Sequence, residues 1–468
     1  MKRSNLLFTL LLLSLAAPRM AGAIEFADAD DYAECDFEGK SFTIGPNGNG
    51  LTFGNSARAR GLRLNFRDRC VEEVIGVNIT LWKPGRNPDA RHRGLSFGLY
   101  GPSACELEMI SIGLLSVEAE CSISGLAVSG IATVSGGPIS GISIGGIANV
   151  AHGPMTGISI GGLANVAEGS ISGISVGGLA NVAEGSMTGI SYGGLANVAE
   201  GSITGISFGG LANVAEGPMT GISIGGLANV AEREVAGITA GGLANVSERS
   251  VTGITFGGLA NVTEGAMTGI SVGGLANVAE GPMTGISIGG LAIVAGDELS
   301  GISASGLATH SEGDIVGLNF TGGALVAEET LSGINIGGIG AISRNDDEYG
   351  EGNYEYFGIR AREARYLLVH GIDINILDRL AGLAVSGVDV RAGELTGAAL
   401  SGIFVRAEDM TGFSASCVNW YDETQRGFVI GLVNFARDLH GIQLGLINIA
   451  NNNRDGLRVL PILNAHFD

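Results

Sequence analysis

The sequence is poor in basic residues, in aromatic residues and in clustered histidines, and each shortage removes a class of function. Its 26 Lys and Arg residues face 47 Asp and Glu residues, so the net charge is −21. Nucleic acid and anionic lipid repel such a chain at long range, and nucleic acid is excluded as a partner. No cofactor is expected, because the six histidines are scattered singly and no Lys-Ser or Lys-Thr follows the repeated Gly-Gly-Leu-Ala motif, as a phosphate-binding loop would require.

Long apolar runs are also missing, except for one at the N-terminus. Leu6 to Ala17 follows the basic pair Lys2 and Arg3 and precedes the small residues Ala21, Gly22 and Ala23. The run has about a dozen residues, fewer than the roughly 20 that a membrane-spanning helix needs. Residues 1–23 are therefore predicted to be a secretory signal peptide, and the chain is expected in the periplasm, in the outer membrane or at the cell surface. Membrane association is then expected only peripherally or as a β-barrel.

Cysteine is scarce, and its distribution is uneven. Four of the five cysteines precede residue 122, and an exported protein folds in an oxidising compartment. We predict two disulfides among Cys35, Cys70, Cys105 and Cys121; pairing of sequence neighbours, Cys35 with Cys70 and Cys105 with Cys121, is one of three connectivities. Cys417 is expected to be a small buried hydrophobic residue.

Glycine is abundant, and it is periodic. From Gly125 to Gly333 a glycine recurs every 16 residues, and a looser series runs from Gly382 to Gly441. Residues 157–172, Gly-Ile-Ser-Ile-Gly-Gly-Leu-Ala-Asn-Val-Ala-Glu-Gly-Ser-Ile-Ser, are a representative unit. A fixed period indicates stacked repeats, and the glycine and β-branched residues of each unit indicate strands and turns rather than helices.

Two all-β architectures agree with this period. In a β-solenoid each unit is one coil, whereas in an up-and-down outer-membrane β-barrel each unit is one strand and a turn. Successive barrel turns lie at opposite ends and should differ, but Ala-Glu-Gly recurs after consecutive units, at 167–169, 183–185, 199–201 and 215–217, and the aromatic girdles of membrane barrels are missing. We predict a β-solenoid with an N-terminal β cap, with the barrel as the alternative. The predicted interior residues of a coil are Met155, Ile158, Ile160, Leu163 and Val166.

Stacked coils would place identical residues about 4.8 Å apart in columns. Asn recurs every 16 residues from Asn149 to Asn277, and its side chains are expected either to form a hydrogen-bonded amide ladder or to occupy solvated turns. Glu recurs from Glu168 to Glu280. Neighbouring carboxylates in a column should raise one another's pKa unless the column is fully solvated.

The sequence divides into five regions. They are the signal peptide 1–23, an N-terminal β region with four cysteines at 24–120, the repeat array at 121–343, an acidic and aromatic interruption at 344–381, and degenerate repeats of 14 to 15 residues with a C-terminal cap at 382–468. Within the interruption, Arg360 to Val369 is predicted to be helical. The candidate metal ligands, for Ca²⁺, are Asp346, Asp347, Glu348 and Glu351, although their spacing is not that of an EF-hand and a solvated loop is the alternative.

The C-terminal repeats carry a resemblance. Residues 427–436, Gly-Phe-Val-Ile-Gly-Leu-Val-Asn-Phe-Ala, are echoed by residues 441–450, Gly-Ile-Gln-Leu-Gly-Leu-Ile-Asn-Ile-Ala, and the chain closes with Leu-Pro-Ile-Leu-Asn at 460–464. These units resemble the Gly-Leu-Gln-Ile-Gly-Leu-Val-Asn repeats of bacterial surface-repeat proteins of the leptospiral type. The resemblance covers residues 427–464 and implies an exported or surface-associated β-repeat protein, without implying an enzymatic activity.

We therefore expect a structural or interaction protein with an unidentified surface or envelope partner, and no enzyme. A pore-type barrel is the principal alternative. Two others are an ice- or polysaccharide-binding solenoid that uses hydroxyl columns beginning at Thr156 and Ser159, and a polysaccharide-acting enzyme that uses the carboxylates of Asp373 and Asp389.

Overall fold

Strands and the turns between them make up the part of the chain that the structure describes. The computed structural model describes residues 39–46, 49–85, 87–338 and 358–467. Over these ranges there is no α-helix, and hence none long and apolar enough to span a bilayer. The chain divides into two compact units, residues 1–242 and 243–468.

The first unit contains a long and a short strand in each repeat. Its strands are β1 (Ser41–Ile44), β2 (Asn49–Gly54), β3 (Arg58–Asn65), β4 (Glu73–Thr80), β5 (Arg91–Gly98), β6 (Ser103–Gly113), β7 (Ser116–Ser129), β8 (Ala132–Ser135), β9 (Ile139–Gly145), β10 (Ala148–Ala151), β11 (Met155–Gly161), β12 (Ala164–Ala167), β13 (Ile171–Gly177), β14 (Ala180–Ala183), β15 (Met187–Gly193), β16 (Ala196–Ala199), β17 (Ile203–Gly209), β18 (Ala212–Ala215), β19 (Met219–Gly225), β20 (Ala228–Ala231) and β21 (Val235–Gly241).

The second unit begins with the same pattern and ends in longer strands. Its strands are β22 (Ala244–Ser247), β23 (Val251–Gly257), β24 (Ala260–Thr263), β25 (Met267–Gly273), β26 (Ala276–Ala279), β27 (Met283–Gly289), β28 (Ala292–Ala295), β29 (Leu299–Ser305), β30 (Ala308–Ser311), β31 (Ile315–Thr321), β32 (Ala324–Ala327), β33 (Thr330–Gly337), β34 (Ile359–His370), β35 (Asp373–Ser386), β36 (Asp389–Ser401), β37 (Phe404–Ala415), β38 (Val418–Ile430), β39 (Val433–Ala450) and β40 (Val459–His466).

Each 16-residue repeat is one coil of a β-solenoid. The long strand β11 pairs in parallel with β9 and β13, and the short strand β12 pairs in parallel with β10 and β14. The register is a shift of one repeat, so Met155 lies opposite Ile171 and Asn165 lies opposite Asn181. The predicted β-solenoid is confirmed within each unit. Successive strands of an up-and-down barrel would instead be antiparallel.

A glycine with positive φ bends each long strand of the array from β9 to β33. Gly157 has a φ of 108°, and a Cβ at this position would collide with the carbonyl oxygen of Gly141 in the preceding coil. Glycine alone adopts this conformation without strain. Met155, Ser159 and Gly161 are buried in the alternating pattern of a strand, while Gly157 between them lies at the corner.

The interior of the coil is narrow and lined by small or polar side chains. Met155, Ser159, Asn165 and Ala167 are each at most 4% exposed. A Cβ on Gly161 would lie 2.9 Å from the Asn165 Oδ1 atom, so no larger residue fits between the two strands there. The interior therefore consists of one Met or branched apolar column, and otherwise of Ser, Gly, Asn and Ala.

The predicted interior was wrong for four of its five residues. Met155 is buried, but Ile158, Ile160, Leu163 and Val166 point outward, and Ile160 and Leu163 are 38% and 44% exposed. Alternation from Met155 places Ser159 and Gly161 inward and Ile158 and Ile160 outward. The prediction followed apolar character instead of this alternation and therefore assigned the wrong side.

Parallel pairing extends beyond the array. Strands β2 to β6 stack in parallel before it, and β34 to β39 stack in parallel after it. The predicted helix at Arg360 to Val369 was wrong, because these residues form β34, which pairs with β33 and β35 and buries alternate side chains between coils. Each end of the strand series is antiparallel: β1 pairs with β2, and β40 pairs with β39.

Two corner positions carry a residue other than glycine. Met109 and Tyr366 have φ values of 80° and 81°. Their partners in the neighbouring coils include Gly125 and Gly333. A non-glycine residue in this conformation costs about 1–3 kcal/mol, whereas glycine adds backbone entropy to the unfolded chain. We expect Met109→Gly and Tyr366→Gly each to raise the free energy of unfolding by about 1 kcal/mol, since both side chains are more than 60% exposed.

Chemical denaturation of the full chain, followed by circular dichroism, measures this effect. The control variant Met109→Ala keeps a Cβ atom and should not be stabilised. Equal stability of Met109→Ala and Met109→Gly would contradict backbone strain at this corner.

Candidate functional site

The Asn column forms a hydrogen-bonded amide ladder inside the coils. In the first unit, Asn149, Asn165, Asn181 and Asn197 each donate from Nδ2 to the Oδ1 atom of the next Asn, at 2.8 to 2.9 Å. The same bonds continue from Asn213 to Asn229, and in the second unit they join Asn245, Asn261 and Asn277. The predicted amide ladder is confirmed, and the alternative of solvated turns is wrong because these residues are at most 1% exposed.

The Asn amides within the ladder of the first unit have further hydrogen bonds. Asn181, for example, also donates from Nδ2 to the carbonyl oxygen of Tyr192 at 2.8 Å, and its Oδ1 atom accepts a bond from the Ser175 hydroxyl at 2.7 Å. A buried polar group costs free energy unless it is hydrogen-bonded. The ladder is therefore satisfied only while every coil supplies its Asn.

The ladder in the second unit ends where the sequence changes. Ile293 takes the position after Asn277 and is fully buried. Two coils further on, Asn319 occupies the long-strand position equivalent to Ser159. Its side chain donates a hydrogen bond to the Oδ1 atom of Asn335 at 2.7 Å. The C-terminal repeats carry another ladder, in which Asn419 donates to Asn434 and Asn434 donates to Asn448, at 2.8 and 2.7 Å. These later ladders were not predicted, although the repeated Asn of the C-terminal units was visible in the sequence.

A buried polar cluster occupies the first coils. Arg63 and Asp68 are both fully buried, with an Nη1 to Oδ1 distance of 2.6 Å. Asp68 also accepts bonds from the side chains of Asn65, Asn78 and Thr80. Burial alone would raise the pKa of Asp68, but Arg63 and these hydrogen bonds hold it below its ordinary value. Sequence reasoning missed this cluster entirely.

His92 lies beside the same cluster. It is 1% exposed, and its Nδ1 atom lies 3.3 Å from the Ser96 hydroxyl, while its Nε2 atom is buried without a hydrogen-bond partner. Burial lowers the pKa of His92 to about 4; Asp68 opposes this shift and Arg63 adds to it. The ring is therefore neutral at pH 7, and the cluster contains a single ion pair between Arg63 and Asp68.

The structure brings Asp373 and Asp389 together. They are register partners on β35 and β36, and the Oδ1 atom of each is buried without a hydrogen-bond donor. Arg391 donates from Nε to the other oxygen of Asp389 at 2.5 Å. Burial, and then the charge of Asp389, raise the pKa of Asp373 to about 6. The carboxylates are stacked on adjacent coils with these oxygens buried, so they do not flank an open cleft as a glycosidase pair does.

This shift makes the stability of the second unit depend on pH. Because the pKa of Asp373 is about 6 in the folded state and about 3.9 in the unfolded state, the folded state binds more protons between these values. The stability from this group is complete below pH 4 and is lost as the pH rises through 6. We expect Asp373→Asn to stabilise the unit at pH 7 by about 1–2 kcal/mol, a value reduced for the partial exposure of the group.

Urea denaturation of the full chain at pH 5 and pH 7 tests the expectation. Asp378→Asn is the matched control, because Asp378 is exposed on the same strand. If Asp373→Asn and Asp378→Asn show the same change between the two pH values, the carboxylate pair does not cause it.

The candidate metal ligands Asp346, Asp347, Glu348 and Glu351 lie outside the described residues, and the Ca²⁺ site stays a prediction. Within the described ranges, no group of three or more His, Cys, Asp or Glu side chains is placed to hold a metal ion. In the first unit, the residues of the Glu column lie in the turns after the short strands and are exposed. Partial burial, followed by Glu232 and Glu200, raises the pKa of Glu216, as expected for neighbouring carboxylates.

The cysteines that the structure describes lie at contacts between coils or in turns. Cys105 and Cys121 form a disulfide with Cα atoms 4.7 Å apart. Cys35 lies outside the described residues, so its pairing with Cys70 stays a prediction. The prediction that Cys417 is buried was wrong; it is exposed, because it lies in the turn between β37 and β38 rather than in a strand.

The serine column is also buried. Residues 157–161, Gly-Ile-Ser-Ile-Gly, match the G-x-S-x-G pattern of serine hydrolases, but Ser159 lies within a strand and is 4% exposed. In those enzymes the serine is exposed on a strand-to-helix turn. The predicted hydroxyl surface was wrong for its serine column, since Ser159, Ser175 and Ser191 are buried, whereas the Thr156 column is exposed as expected.

The outer surface of the first unit carries three apolar columns, here called the apolar face. The Ile column contains Ile142, Ile158, Ile174, Ile190, Ile206, Ile222 and Ile238. The mixed column contains Ile144, Ile160, Val176, Tyr192, Phe208, Ile224 and Ala240. The Leu column contains Ile131, Ile147, Leu163, Leu179, Leu195, Leu211 and Leu227. Its members are each 36–45% exposed.

Charge is excluded from these columns. Between residues 125 and 242 every Asp, Glu and Arg falls in the turn that follows a short strand, at positions equivalent to 168–170. Glu168 and Thr156 are exposed on the remaining part of the coil surface. The outside of each coil is thus apolar on one part and acidic or hydroxylated on the other.

Comparisons with known protein families, with curated proteins and with solved structures find no match to this chain.

Proposed function

We propose that the protein is an exported, non-enzymatic structural and interaction protein of the bacterial cell surface. The observation that carries this proposal is the repetition of one surface over many coils, since a repeated surface suits contact with an extended partner better than conversion of a small substrate. The internal amide ladder, which needs no ligand, fixes the spacing of that surface.

Export is supported by the sequence. Residues 1–23 have the basic, apolar and small-residue segments of a signal peptide, and residues 427–464 resemble surface-repeat proteins of the leptospiral type. The disulfide between Cys105 and Cys121 also suits an oxidising compartment. We propose a partner in the envelope or at the cell surface.

Cell fractionation and surface proteolysis test the proposal. A tagged full-length chain should shorten by about 23 residues during export and should be digested when intact cells meet protease. The control Leu11→Arg and Leu12→Arg, which interrupts the apolar run, should keep the uncleaved chain in the cytoplasm. A wild-type chain that stays in the cytoplasm and uncleaved would contradict export. An exported chain that resists protease on intact cells would contradict surface exposure.

A further inference from the structure

The apolar face of the first unit is at the upper end of the size that soluble monomers expose. Fifteen of its side chains are each 36–51% exposed. Complete burial of a Leu or Ile removes on the order of 100 Å² of apolar surface, so these side chains expose roughly 600 Å² together. Apolar patches on monomers rarely exceed about 300–600 Å², and one partner of a standard interface buries about 800 Å². The face thus provides most of the area that a stable interface needs.

The surrounding charges indicate which partner fits. Residues 94–232 contain no Lys or Arg, so nothing beside the face attracts the phosphates of a lipid headgroup. The acidic side chains are confined to the turns, away from the Ile, mixed and Leu columns. Two copies of the face can therefore meet without bringing any charged side chain into the contact.

The period of the columns also indicates which partner fits the apolar face. Stacked strands repeat at about 4.8 Å, and only a surface with the same repeat stays in register with such columns over many coils. A second copy of this chain has that repeat because it carries the same columns. Two flat sheets with apolar side chains pack face to face about 10 Å apart, as in β-sandwiches. We propose that the apolar face of the first unit is a self-association surface, occupied by the same face of a second copy of this chain.

The centre of the face carries the residues that are most common at interface hot spots. Tyr192 and Phe208 are register partners in the mixed column and are 51% and 36% exposed. Aromatic side chains provide large rigid contact areas, and their removal often costs most of the binding energy. These two residues anchor the association. The inference concerns association alone and does not depend on where the protein is located.

Sedimentation velocity of the detergent-free full chain, over a micromolar dilution series, tests the proposal. We expect two copies per particle at high concentration and dissociation on dilution. The triple variant Leu179→Glu, Leu195→Glu and Leu211→Glu should raise the dissociation constant by more than about 100-fold, because the introduced carboxylates would be buried against one another.

The matched control is Thr156→Glu, Thr188→Glu and Thr204→Glu, which adds the same charge to exposed positions outside the face. Its dissociation constant should stay within about threefold of the wild-type value. If the Leu variant does not fold, as judged by circular dichroism, Tyr192→Ala with Phe208→Ala should still weaken association by about tenfold or more.

Three results would overturn the proposal. They are a wild-type chain that remains a single copy at every concentration, a control that weakens association as strongly as the Leu variant, and a single-copy chain that floats with vesicles of neutral phosphatidylcholine. The last result would assign the face to a lipid surface instead.

Discussion

Replacing Asp68 with Leu should lower the free energy of unfolding of the first coils by about 3–5 kcal/mol, because the change leaves a buried guanidinium without its counter-ion. Asp68 accepts hydrogen bonds from Arg63 and Thr80 at 2.6 Å, from Asn65 at 2.7 Å and from Asn78 at 3.0 Å. Leu accepts none of them. Each donor left unpaired costs about 1–3 kcal/mol, and relaxation of the neighbouring chain recovers part of the total.

The double variant Arg63→Met with Asp68→Leu is the control. It removes both charges and keeps the volume, and replacement of a buried ion pair by apolar residues is often neutral. Hydrogen exchange of the full chain, read by mass spectrometry over residues 58–98, locates the change. The single variant should lose protection there, and the double variant should recover much of it. Equal loss in both variants would show that the ion pair is not what holds these coils.

Replacing Asn197 with Leu should cost about 3–5 kcal/mol, since it breaks the ladder in the middle of the first unit. The Asn181 amide loses its acceptor, and the Asn213 Oδ1 atom loses its donor, at distances of 2.8 and 2.9 Å in the intact ladder. Leu also removes the bonds that Asn197 donates to the Ser207 hydroxyl and to the carbonyl oxygen of Phe208. These lost hydrogen bonds inside the coil then add together.

Asn451→Leu is the control for this change, since Asn451 is exposed and outside the ladders. Repeat arrays unfold coil by coil, so a single melting temperature is not sufficient, and hydrogen exchange of residues 177–215 is the measurement. We expect loss of protection in the coils on both sides of residue 197. Loss confined to the substituted coil would mean that the amides are not energetically coupled along the column.

The sequence predicted the coil and the amide ladder because both depend on the period alone. A repeat of 16 residues places Asn165 beside Asn181 whatever the shape of the coil, and the pairing confirms it. The inward side of each strand depends instead on which side chains fit the narrow interior. Apolar character suggested that Ile158 and Ile160 were inside, whereas the width available beside Gly161 admits only small residues.

The polar clusters also differ in whether the repeat period could predict them. Asp373 and Asp389 lie 16 residues apart, and the period of the array could have predicted that they stack, although their shared burial could not be seen. Arg63 lies on β3 and Asp68 lies five residues later, in the turn that follows the strand. No period describes their contact, because it depends on how the turn after β3 folds back over the coil. Contacts between coils are thus readable from this sequence, and contacts across a coil are not.

The equivalence of neighbouring coils also has a genetic consequence. In the first unit, the coils from Gly157 to Thr220 present the same corner glycine, the same ladder Asn and the same turn Glu to the coil before and the coil after. An in-frame duplication or deletion of one repeat therefore joins partners that already match, and nearly identical repeats promote such recombination. Alleles of different length would keep these columns continuous. Selection can therefore change the number of coils one at a time without changing the kind of surface that they present.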